Sequence, residues 1–209
     1  TQMSTSNYES FLFWQQLGAK RVVNARELSL KELKEIRAKI APELEIESFV
    51  HGAMCISYSG RCLLSNYLVG RDANQGACTH PCRWKYSIVE EKRPGEYMPV
   101  FENERGTYIF NSKDLCMIEH IPEILESGID SLKIEGRMKR PEYVAVVVDA
   151  YRRAIDSYLA GDYKVPEEDL ANIEQIFNRD FTTAYLERRP GRTMMSDRRP
   201  NNRGVLIGR

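Results

Sequence analysis

Apolar and polar positions recur along the chain with two different periods, and the switches between them mark its elements. "SNYESFLFWQQLG" carries Phe11, Trp14 and Leu17 at helical spacing, opens on a capping-box pattern from Ser6 to Glu9 and stops at Gly18. "RVVNARE" reads as a buried strand. "SLKELKEIRAKI" has a second capping box, Ser29 to Glu32, and places Leu30, Leu33, Ile36 and Ile40 on one helical face. "LEIESFVHG" is the next strand; "GTYIFNS", the helix "PEILESG" with Pro122 near its first turn, and the strand "DSLKIEG" follow later. A long helix begins at Pro141, presents Val144, Val147, Val148, Tyr151 and Ile155, and ends by Gly161.

This order is αβαβ, an insertion of about 50 residues, then βαβα, which calls for a parallel sheet with right-handed crossovers. Four strands cannot close a barrel, which needs eight. The expected fold is therefore α/β: half of a TIM-like (β/α)8 barrel over residues 1–161, with a cysteine-rich insertion at about 52–105. Residues 162–209, with a short helix near "PEEDLANIEQIF", read as a linker, and "GVLIGR" as the start of a further domain.

Sites in such folds gather beyond the carboxyl ends of the strands. The ends here bring Arg26 and Glu27, His51 and Gly52, Ser112 and Lys113, and the run Glu135 to Arg137. In "SLKIEGR" a period of two sets Lys133, Glu135 and Arg137 on one face, and in "EIESFVHG" it sets Glu47, Phe49 and His51 on one face. Arg26, Glu47, His51, Lys133, Glu135 and Arg137 are thus the candidate catalytic residues, against the plainer reading of ion pairs at a barrel rim.

Composition narrows the class further. With 42% hydrophobic and 29% charged residues in 209, the chain is of ordinary globular make-up and can bury a core without disulfides. The longest apolar run, "YVAVVV", is far shorter than the roughly 20 residues of a membrane helix, so no membrane partner is expected. "TQMSTSNYES" shows no signal peptide, which points to the reducing cytoplasm. Net charge is zero, yet Glu187 to Arg209 holds seven arginines and no lysine against two acids. That end is either a solvated tail or a phosphate-contacting segment, with Arg188, Arg189 and Arg192 the first candidates. Trp84 and Tyr86 could stack on bases.

Four of the five cysteines fall between Cys55 and Cys82 with spacing Cys-x6-Cys, x15, Cys-x3-Cys. Disulfides suit a reducing compartment least. A nucleophilic thiol with His51 as base would leave three thiols unexplained. Zinc knuckles use tighter pairs, and only "CTHPC" resembles one. An iron–sulfur cluster takes four thiolates at irregular spacing. Spacing favours a cluster, with zinc and unligated buried cysteines still open.

"ESFVHGAMCISYSGRCLLS" closely resembles the signature of the peptidase U32 family, the collagenase-like proteases. "RDANQGACTHPCRWKY", "GTYIFNSKDL", "SLKIEGRMK" and "NRDFTTAYL" resemble its further blocks, in order over nearly the whole chain. The resemblance implies a TIM-like barrel followed by a small β domain, of which this chain would hold the second barrel half and the linker. It implies oxygen-independent hydroxylases of tRNA wobble uridine, ribosomal RNA or ubiquinone precursors, built on a [4Fe–4S] cluster. Prephenate is linked to the RNA-modifying members as hydroxyl source. By position the implied ligands are Cys55, Cys62, Cys78 and Cys82; Cys116 falls where tRNA-type relatives lack cysteine. The "CTHPC" pair favours the RNA-modifying branch, hence tRNA or another RNA as partner. The alternative is a collagenase-like peptidase or peptide-binding protein with structural cysteines, although no Gly-x-Ser-x-Gly or His-Glu-x-x-His motif is present.

Overall fold

The computed structural model describes residues 1–84, 86–99, 111–137, 139–187 and 191–196. The elements are α1 (Tyr8–Gln16), β1 (Arg21–Val23), α2 (Leu30–Arg37), β2 (Glu45–Ala53), α3 (Leu64–Val69), β3 (Ser87–Val89) and β4 (Tyr97–Pro99). They continue with β5 (Asp114–Cys116), α4 (Ile121–Glu126), β6 (Ser131–Ile134), α5 (Pro141–Leu159), α6 (Glu167–Gln175) and β7 (Phe181–Thr182).

Local signals explain the helix boundaries. The capping box of α2 is the expected one, with Ser29 Oγ accepting from the Glu32 N–H and Glu32 accepting from the Ser29 N–H. In α1 the box sits one residue later than expected, on Asn7 and Ser10, because Asn caps as well as Ser and the Ser10 hydroxyl answers it. Phe11 is fully buried, Trp14 is half-buried, and Leu17 is exposed. Along α5 the buried stripe is Tyr143, Val147, Ala150, Tyr151 and Ala154, so Val144 and Val148 fall at its exposed edges rather than on it.

β2 organises the sheet. β1 and β6 pair with it in parallel, while β5 pairs with its last residues, 51–53, in the antiparallel sense and β7 follows β5 in parallel. The architecture is mixed α/β, and the antiparallel β5 departs from the all-parallel sheet expected. The long excursion between β2 and β5 leaves the returning strand free to enter from either end. Of the expected strand "GTYIFNS", residues 106–110 lie outside the described residues, and Ser112 forms an isolated bridge to Met195. β3 and β4 pair separately within the cysteine-rich segment.

The core sits between the sheet and α2, α4 and α5, where Leu33, Ile46, Val50, Ile121, Ile124 and Val147 are buried. Ile173 of α6 joins the same core. Tyr151 pins β2 to the segment after β5, donating to the Val50 carbonyl at 2.9 Å and accepting from the Met117 N–H at 2.9 Å. Arg179 and Asp114, 8% and 1% exposed, form a buried ion pair at 2.9 Å, as two charges out of water require. No helix among the described residues is long and apolar enough to cross a membrane.

Candidate functional site

The sheet delivers one group of side chains, and the irregular segment after β2 delivers the other. Cys55 follows β2 directly, Cys62 precedes α3, Cys78 lies in the loop beyond the turn at Ala73–Gln75, and Cys82 sits in the turn Pro81–Arg83. All four are free, half-buried, and line one cavity of about 370 Å³. Cys116 is not among its lining residues; it pairs across the sheet with His51.

The loops carrying the thiols are tied down locally. Gly60 stands at φ +73°, where an added Cβ would lie 2.1 Å from the Gln2 carbonyl, so only glycine fits this turn between the first two cysteines. Ser65 Oγ of α3 accepts from the Thr79 N–H at 3.1 Å, beside Cys78. Arg137, just beyond β6, donates to the Cys78 carbonyl at 3.0 Å and so links the sheet to the cysteine loop. His80, between Cys78 and Cys82, holds a left-handed φ of +56°.

The electrostatics follow from burial. It pushes the Cys82 thiol up to about 11 despite the opposing Arg83, and raises Cys55 as well. As neutral thiols these groups are poor nucleophiles; a group that binds thiolate would draw the protons off. Zinc at its usual 2.3 Å from sulfur would bring tetrahedral thiolates to about 3.8 Å from one another. Among the described residues, no three of His, Cys, Asp and Glu converge in a way that could hold a single ion. The four thiols line one hollow.

Four of the six candidate catalytic residues face the same hollow. Arg26, Lys133, Glu135 and Arg137 line it with the cysteines. The Phe49 ring supports two of these cations, with the Arg26 guanidinium 4.7 Å and the Lys133 ammonium 5.3 Å from its centroid. Glu135 is held close to β2: its N–H donates to the His51 carbonyl at 2.9 Å, and a Cβ on Gly52 would lie 2.8 Å from the Glu135 carbonyl. Its carboxylate accepts from the Arg137 N–H at 2.9 Å.

Glu47 and His51 are placed elsewhere. Burial pushes the Glu47 pKa up, but Lys133 at 3.0 Å, Ser131 and Arg21 outweigh it and hold the carboxylate below its ordinary value. Glu47 is thus tied to the cavity through Lys133, which lines it. His51 is turned into the core, 1% exposed, with its ring centroid 5.5 Å from Tyr151 and 5.7 Å from Phe181. The pairing of β2 with β6 shifts register between Phe49 and His51, and that irregularity breaks the period of two that would have aligned His51 with Glu47. Burial lowers its pKa to about 3, so it stays neutral in the core.

Trp84 and Tyr86 flank the last cysteine turn, 42% and 41% exposed, and the Tyr86 hydroxyl donates to the Pro81 carbonyl at 2.6 Å. Arg188 and Arg189 lie outside the described residues, as does the Arg192 side chain. Sequence reasoning passed over His80 and Arg83, which also line the cavity. His80 stands inside "CTHPC", and its place between two candidate ligands was the signal.

The chain matches the family model described as Peptidase family U32 over residues 1–196. It belongs to that family. It is 46% identical to tRNA hydroxylation protein P1 of Bacillus subtilis, over 91% of this chain and 45% of that protein. It is 42% identical to tRNA hydroxylation protein P of Escherichia coli, over 90% of this chain and 49% of that protein. A protein of Porphyromonas gingivalis named collagenase is 36% identical over 88% of this chain and 46% of its own length. The chain thus spans about half the length of these U32 relatives. No solved structure matches it.

Proposed function

We propose that this U32 chain forms part of a tRNA hydroxylase, and that its cysteine-lined cavity is the reaction site around a [4Fe–4S] cluster. One observation carries the reading: four free thiols and Arg26, Lys133, Glu135 and Arg137 face a single hollow, in a chain similar to proteins named for tRNA hydroxylation. Cys55, Cys62, Cys78 and Cys82 would be the ligands, and the donor set fits, being all thiol and gathered on one cavity. When bound, such a cluster supplies electron transfer or substrate positioning, since four protein ligands leave no open one.

The chain's own residues do the rest. Arg26, Lys133 and Arg137 bring positive charge into the cavity, which offsets anionic thiolates and attracts an anionic substrate. Prephenate, the hydroxyl source that the family resemblance implies, is a dicarboxylate, and these cations are suited to hold it. Glu135 is the carboxylate in the cavity placed to accept a proton or a substrate hydrogen bond. The half-barrel over 1–161 and a cytoplasmic site of action belong to the same proposal. The peptidase reading through a Cys55–His51 pair finds little support: His51 points into the core, and burial holds the Cys55 proton more tightly.

The test is to complement a strain lacking the whole protein and profile its tRNA nucleosides. Wild type should restore hydroxylated uridine, and Glu135→Gln should restore less than a hundredth of it with iron content unchanged. A Glu135→Gln variant of full activity would remove this residue from the chemistry.

A further inference from the structure

A second cavity, of about 580 Å³, shares a wall with the cysteine site, since Ala53, His80 and Arg137 line both. Beyond that wall its lining adds Lys139, Arg140 and Arg179, and Glu142 is the acid among its described lining residues. Four cations against one carboxylate is a local excess in a chain of zero net charge. Its donors are also underused. The Lys139 ammonium is buried 3.5 Å from the centroid of the Phe177 ring and 4.9 Å from that of Tyr143, and it has no hydrogen-bond partner among the described residues. Arg179 Nε and the Tyr143 hydroxyl are likewise buried without a partner among the described residues. Arg179 has its ion pair with Asp114 behind the cavity, whereas Lys139 has no carboxylate within ion-pair distance among the described residues.

Buried donors are nearly always satisfied, so a cluster of unsatisfied ones beside a hollow points to an acceptor that enters from outside. Cationic donors select an oxyanion. The shared wall narrows the class further. A ligand that occupies both cavities must carry its anion directly beside the group that enters the cysteine site, as a nucleotide does. We propose that the second cavity is a phosphate subsite, which receives the phosphodiester next to the nucleotide whose base enters the cysteine-lined cavity. This rests on the RNA reading and assigns to it contacts other than the arginine-rich end, with Lys139 and Arg140 as phosphate-binding residues.

Lys139 also provides a readout of its own. Burial lowers its pKa to about 8; Asp114 and Glu135 oppose this, while Arg179 and Arg83 add to it. A phosphate brought beside the ammonium favours its charged form, so binding at pH 8.5 should take up protons.

The experiment uses the whole protein with tRNA over a range of salt, and separately with inorganic phosphate in calorimetry buffers of differing ionisation enthalpy. Each phosphate contact to a single strand contributes about 0.7 to the slope of log affinity against log salt. Lys139→Gln with Arg140→Gln should therefore flatten that slope by about 1.4, and Lys139→Gln should abolish proton uptake on phosphate binding. If the double variant fails to fold, Arg140→Gln alone, at an exposed side chain, should flatten the slope by about 0.7. A folded variant with the wild-type slope overturns the subsite and leaves the RNA reading standing. Wild-type protein that ignores tRNA yet binds phosphate through Lys139 upholds an oxyanion site and overturns the RNA reading.

Discussion

The sheet core and the cysteine cavity both border β2, yet they are built on different principles. In the core, the polar groups that position β2 are matched. Asp130 accepts from the Ile46 N–H at 2.8 Å, Arg37 from α2 reaches the Leu44 carbonyl at 2.8 Å, and Tyr151 closes the far side. At the cavity end the matching stops. Arg26 Nε and Arg83 Nε are buried with no partner among the described residues, four thiols carry no disulfide, and His80 holds a left-handed backbone. In the first region the groups that fix β2 find their partners within the chain. The second has the donors, the strain and the hollow of a region that is completed by what it binds.

The contrast is broken most sharply by paired substitutions. Cys55→Ala should reduce bound iron to near zero while far-ultraviolet circular dichroism stays as in wild type, because the proposed ligand lies outside the sheet. Leu33→Ala, at a fully buried side chain, should do the reverse, costing about 2–5 kcal/mol of stability in chemical denaturation with the iron-to-folded-protein ratio unchanged. Equal effects of the two on both readouts would erase the distinction. Cys116→Ala should leave bound iron untouched, since Cys116 lies in the sheet and not on the cavity.

A smaller effect separates His51 from the site. Its folded pKa of about 3 lies below the ordinary 6.5, so the unfolded chain binds a proton there that the folded chain refuses. Its contribution is complete above pH 6.5 and is lost as pH falls toward 3, by up to about 1.4 kcal/mol per pH unit. His80, lowered to about 4 chiefly by burial, adds to the same slope, so His51→Gln should reduce the dependence rather than abolish it. Denaturant midpoints between pH 4 and 7 test this, and an unchanged slope would mean that His51 is not a buried neutral histidine.

How much of this was legible in the sequence differs between the two regions for a physical reason. Helices α2 and α5 announce themselves through capping, spacing and terminal glycine, and the cysteines through their density. Lys133 faces the cavity from β6, and Glu135 and Arg137 face it from the segment just beyond that strand, as their spacing in the sequence suggested. The register shift in β2 was not legible, because it arises from pairing with a distant strand, and it turned His51 inward. The antiparallel entry of β5 and the second cavity are equally non-local. Lys139, Arg140 and Arg179 are brought together across about 40 residues by α5 and α6, and no spacing rule links them.

The central claim is that the four thiols hold a cluster and not a lone ion, and metal analysis of the whole protein purified without oxygen tests it most directly. The account predicts brown protein with about four irons and four sulfides per chain, lost together in Cys55→Ala. Colourless protein with one zinc and no sulfide would contradict it.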